Sequence, residues 1–92
     1  MKDSKIQTLH PEKGKQNQKI PLEKYEIIKS AILDVLAKSH LTHTELVEKL
    51  RRKLKGKFEG NVLWYGITVK LDLEARGVIK RSNSRKPFYY IV

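Results

Sequence analysis

The chain contains no cysteine, a single tryptophan, and half as many acidic as basic residues. Without cysteine there is no disulfide and no thiolate metal site, a composition that suits a reducing compartment. No apolar run approaches the roughly 18–20 residues that a membrane-spanning helix needs. The opening MKDSKIQTLHPEKG has no apolar core of the kind a signal peptide carries. The expectation is a cytoplasmic protein with no membrane partner. No glycine-rich phosphate loop is present. His10, His40 and His43 are the only histidines, and no paired carboxylate stands near them. They read as surface and capping-turn residues. Asp72 and Glu74 are two apart on a helix and point to different sides, which rules out an acid/base pair. No catalytic residue, metal site, cofactor or small-molecule ligand is expected, and the chain is not read as an enzyme.

What is present is charge. The formal net charge is +10 over 92 residues. It is uneven: residues 1–19 carry five lysines against Asp3 and Glu12, residues 20–40 are balanced, and residues 41–60 carry six basic groups against three acids. Residues 61–92 again carry six, against two. A balance of this kind points to a polyanionic partner, nucleic acid before acidic membrane surface.

One stretch organises the remainder. Asn61 to Ile79, NVLWYGITVKLDLEARGVI, reads as a helix of about four turns. Asn61 is its N-cap, Arg76 meets the negative end of the helix dipole, and Gly77 closes it in the left-handed conformation. Val78 and Ile79 then open a strand. At 3.6 residues per turn, Val62, Gly66, Val69 and Leu73 share one face, with Tyr65 at its edge. Leu63, Trp64, Ile67 and Leu71 share the opposite one. Polar residues fall on two narrow strips, Thr68, Asp72 and Arg76 on one side and Lys70 and Glu74 on the other. Asp72 and Glu74 are expected at the surface. A helix apolar on two faces is buried twice or offers one face to a partner.

Two more helices precede it. Pro21 to Ser39 begins with proline at the first helical position and carries a core stripe of Tyr25, Ile28, Ala31, Ile32, Val35 and Leu36. Thr42 and Glu45 form a capping box flanked by the staple pair Leu41 and Leu46. This opens a helix with Leu46, Val47, Leu50 and Leu54 inward, ended by Gly56. Its C-terminal half is dense in Lys and Arg beyond what the dipole calls for, so it reads as a phosphate-contacting surface. Phe58 anchors the connection. After the third helix, Val78–Ser82 and Pro87–Val92 predict a hairpin with a basic tip, and alternation assigns Ile79, Phe88 and Tyr90 to its inner face. Residues 1–20 read as a basic arm, either a short hairpin with strands near 5–9 and 17–20 or a disordered tail. As a hairpin, its Ile6, Leu9 and Ile20 would cover one apolar face of the third helix.

The order helix, helix, helix, strand, strand, with the run Leu73-Glu74-Ala75-Arg76-Gly77-Val78-Ile79-Lys80-Arg81, resembles a winged helix-turn-helix domain over about residues 21–92. The run WYGITVKLDLEARG is similar to that of small uncharacterised bacterial winged-helix proteins. The resemblance implies an α+β fold of three helices with a C-terminal β-hairpin wing. It also implies DNA binding through the third helix and the wing, in the manner of a transcriptional regulator. Carried over, the DNA-facing candidates are Asn61, Trp64, Tyr65 and Thr68 on the helix, and Lys80, Arg81, Arg85 and Lys86 on the wing. Lys53, Lys55 and Lys57 flank them. Winged helices also serve as interaction modules. The alternative is therefore a homodimer or protein interface through Leu63, Trp64, Ile67 and Leu71.

Overall fold

The computed structural model describes residues 4–92. Residues 1–3 of the expected arm lie outside them. The fold is α+β with the winged-helix arrangement. Strands β1 (Lys5–Gln7) and β2 (Lys19–Pro21) precede helix α1 (Leu22–Lys38). Strand β3 (Leu41–Thr42) leads into α2 (His43–Leu54), then α3 (Val62–Ala75). The wing strands β4 (Ile79–Arg81) and β5 (Phe88–Ile91) follow. β1 and β2 pair antiparallel as a separate ribbon, and the second sheet runs β3-β5-β4.

Local chemistry sets the ends of the helices. The Thr42 hydroxyl accepts from the Glu45 amide at 3.3 Å and the Glu45 carboxylate accepts from the Thr42 amide at 2.9 Å, completing the capping box. The Asn61 side chain accepts from the Trp64 amide at 3.0 Å. Gly77, at φ +76°, lets the Val78 amide reach back to the Leu73 carbonyl at 2.9 Å. α1 starts one residue later than the proline rule predicts. Pro21 is still paired with Lys5 in the ribbon, and the Leu22 amide donates to the Ser4 carbonyl.

The core lies between the three helices. Ile28, Ile32, Leu46, Leu50, Val69, Leu73 and Ile79 are all but fully buried. Each such side chain contributes about 1.5–3 kcal/mol by leaving water. Gly66 turns toward α2, where a side chain would come within 3.2 Å of Leu50 Cδ1.

The wing corrects one sequence expectation. Tyr89 points inward, with Phe88 and Tyr90 on the outer face. The register settles it: Leu41 and Arg81 both pair with Tyr89, and Ile79 pairs with Ile91. In FYYIV every residue is apolar or aromatic, so alternation carries no parity signal. On the outer face, His40 stacks on Phe88 with ring centroids 5.1 Å apart and planes 6° apart.

Candidate nucleic-acid interface

The ribbon of β1 and β2 reaches α3, but on a different side from the one expected. Ile20 enters the core, whereas Leu9 stays 42% exposed. The ribbon's polar groups grip the Thr68–Asp72 strip. The Asn17 amide donates to the Thr68 carbonyl at 3.0 Å and to the Leu9 carbonyl at 2.9 Å. The Leu9 amide donates to Asp72 Oδ1 at 2.8 Å. Asp72 is completely buried and also accepts from the Tyr25 hydroxyl at 2.5 Å and from Arg76 Nε at 2.9 Å. Its expected exposure is therefore corrected: a buried carboxylate is tolerated because three donor groups, one of them a guanidinium, surround it. Burial and the carboxylate together push the Tyr25 phenol well above its usual pKa.

The other polar strip is also covered. Lys70 is only 6% exposed and donates to the Tyr89 hydroxyl at 2.9 Å, its ammonium 4.2 Å from the centre of that ring. Its nitrogen lies 3.1 Å from His43 Nδ1. His43 is thus half-buried at the start of α2, not a surface residue. Its pKa is lowered by burial first and by the Lys70 charge second. A neutral imidazole with Nδ1 unprotonated accepts a hydrogen bond from the lysine ammonium, which an imidazolium cannot do.

These contacts change the list of DNA-facing residues. Thr68 is 4% exposed and lies under the ribbon, so it cannot face a groove. The resemblance could not reveal this, because the covering segment lies outside the part of the chain it spans. Tyr65 is half-buried, edge-on to Phe58 at 5.3 Å and to Trp64 at 4.9 Å, with Lys24 Nζ 5.1 Å from its centroid. The Asn61 oxygen is occupied as a cap. Trp64 is 42% exposed. It shares the outward side of α3 with Leu63, Ile67 and Leu71, and no side chain there can read a base edge by paired hydrogen bonds. Lys53 turns toward α1, where it pairs with Asp34 at 3.2 Å and lines a groove with Lys38, Lys49 and Arg52.

The remaining candidates are exposed. Lys55 and Lys57 lie in the α2–α3 turn, and Lys80, Arg81, Arg85 and Lys86 in the wing. None of these six forms an ion pair among the described residues. The wing tip is held by its own hydrogen bonds. The Ser82 hydroxyl lies 2.8 Å from that of Ser84 and accepts from the Phe88 amide at 2.9 Å, while the Ser84 hydroxyl lies 3.1 Å from the Lys86 carbonyl. Sequence reasoning missed Asn17 and Ser82. Both act through single side-chain bonds that carry no periodic signal. Among the described residues, no three His, Asp or Glu side chains gather as metal ligands would. No helix among them is long and apolar enough to cross a membrane.

Fold and surface together define a small basic α+β domain of winged-helix arrangement, with a charged wing and an apolar outward face on α3. Residues 5–89 match the family of unknown function DUF6958, and the chain belongs to that family. No curated protein and no solved structure matches it.

Proposed function

We propose that the chain is a DNA-binding winged-helix protein that grips duplex phosphates through its wing and the α2–α3 turn, in the manner of a transcriptional regulator. The observation that carries this reading is the wing tip. Arg85 and Lys86 are exposed and unpaired among the described residues, on a loop already ordered by Ser82 and Ser84. A loop whose backbone is already ordered loses less freedom on meeting a phosphate, so more of the attraction appears as affinity. Lys80, Arg81, Lys55 and Lys57 extend the basic surface. α3 adds no base-reading side chain, so discrimination between sequences rests on duplex shape and is modest.

The test is fluorescence anisotropy with a labelled random duplex, titrated with salt. Neutralising about four to five phosphates gives a slope of log K against log salt near −4. Arg85→Ala with Lys86→Ala is expected to reduce the slope to about −2, since each lost phosphate contact removes about 0.9. Absence of binding at low salt, or a slope unchanged in the double variant, would sink this reading.

A further inference from the structure

The outer face of the wing sheet carries three rings in contact. His40, Phe88 and Tyr90 form a triangle with centroids 5.1, 5.5 and 5.9 Å apart, and the planes of His40 and Phe88 lie 6° from parallel. His40 is exposed and the other two are half-buried, so the cluster meets solvent chiefly at the imidazole. Residues directly opposed in an antiparallel pair share a face of the sheet. Lys80 opposes Tyr90 and Thr42 opposes Phe88, which places a cation and a hydroxyl beside the rings. Glu45 is held at the start of α2, where its carboxylate accepts from the Thr42 amide.

The chain runs from this cluster straight into a basic groove. Lys38 and Ser39, immediately before His40, line it with Val35 of α1 and with Lys49, Arg52 and Lys53 of α2, around about 380 Å³. Consecutive Cα atoms are about 3.8 Å apart, so groove and rings adjoin. Lys53 is shared with Asp34, whereas Lys38, Lys49 and Arg52 form no ion pair among the described residues. Helix dipoles account for cations in the last turns of α1 and α2. They do not account for Lys49 in the middle of α2, nor for the convergence of cations from two helices on one groove.

We propose that this composite surface binds single-stranded nucleic acid. Unpaired bases stack on His40 and Tyr90, and the sugar-phosphate backbone follows Lys38, Lys49 and Arg52. Every base has a π face, so aromatic rings beside a cationic track suit a single strand of almost any sequence. A duplex engages the rings poorly, because its base faces are already stacked on one another. An acidic peptide would neutralise the cations and bring no flat face to the rings. The inference uses none of the wing-tip cations and stands apart from their contact with a duplex.

The test is fluorescence anisotropy of labelled oligothymidylate and oligouridylate, each of about twelve nucleotides, titrated with the full chain. At least one is expected to bind at least tenfold tighter than polyglutamate or inorganic polyphosphate of equal length, and the preferred sugar separates DNA from RNA. His40→Ala, at an exposed position, should weaken that binding at least fivefold, and His40→Ala with Tyr90→Ala at least tenfold. Upfield shifts of the His40 ring protons on adding the oligomer would place a base over the imidazole. A random duplex titrated alongside reports the wing-tip reading by itself: it can fail while the oligomers bind, and bind while they fail. Polyphosphate bound as tightly as the oligomers, an affinity unchanged by His40→Ala, or no oligomer binding at low salt would each overturn the proposal.

Discussion

The Leu9 amide and the Asp72 carboxylate meet at 2.8 Å across 63 residues of chain. That bond, with those from Tyr25 and Arg76, ties the ribbon, α1 and α3 at one point. Asp72→Asn keeps the shape and removes the charge that all these donors face. A loss of about 2–3 kcal/mol in unfolding free energy is expected, the range for hydrogen bonds to a charged group in a buried site. Urea unfolding monitored by Trp64 emission measures it. Faster amide exchange at Leu9 in the variant would localise the loss, and a change below about 0.5 kcal/mol would contradict it.

Tyr25 supplies a spectroscopic counterpart. Its phenol is held protonated above its ordinary range by burial and by Asp72. The folded state therefore binds more protons than the unfolded state above about pH 10, and stability falls as pH rises through that region. Of the four tyrosines, Tyr25 should gain phenolate absorbance only together with unfolding. Absorbance near 295 nm and circular dichroism, followed along one alkaline titration, decide this. A Tyr25→Phe variant identifies the missing chromophore.

His43 governs the acid side. Its depressed pKa means that the unfolded chain takes up the proton first. The contribution is complete above the unfolded value of about 6.5 and is lost as pH falls from there toward the lower folded pKa. His43→Gln should flatten the stability profile in that window while leaving it near pH 8 within about 1 kcal/mol. An unchanged slope of stability against pH would contradict the assignment.

Lys70 tests whether a buried charge without an acid is a burden. It gains two neutral acceptors and an aromatic face, and it loses most of its water. Lys70→Met retains the stem volume and removes the desolvated charge. An unchanged or raised melting temperature is expected, with a gain of up to about 1 kcal/mol. It should also raise the His43 pKa by removing the second cause of its depression. A loss above about 1 kcal/mol would show that the ring and the hydrogen bonds outweigh desolvation.

Most of the architecture is legible in the chain because its signals are local. The Thr42–Glu45 capping box, the Asn61 cap and the Gly77 turn each need only a few neighbouring residues, and all three form. What the sequence hid was long-range. Periodicity placed Thr68, Asp72 and Lys70 on narrow polar strips, and polarity alone suggested water. Their partners lie at Asn17, Leu9, Tyr25, His43 and Tyr89, between 19 and 63 residues away. Nothing in a helical wheel reports such pairings. The doubled apolar face was visible from spacing. The face with Gly66, Val69 and Leu73 packs on α1 and α2, and the ribbon settles on the polar strip beside it.

The outer strands carry a consequence of their own. In the wing sheet the edges are β3, two residues long, and β4, three residues long with Lys80 and Arg81. The ribbon strands are equally brief and bear Lys5, Lys19 and Pro21. Short edges studded with cations and proline are poor templates for a further strand. Backbone zippering is thereby discouraged, both as a route to aggregates and as a way for a partner's strand to join. The phosphate contacts proposed above rest accordingly on side chains, the guanidinium and ammonium groups of the wing, and not on strand pairing.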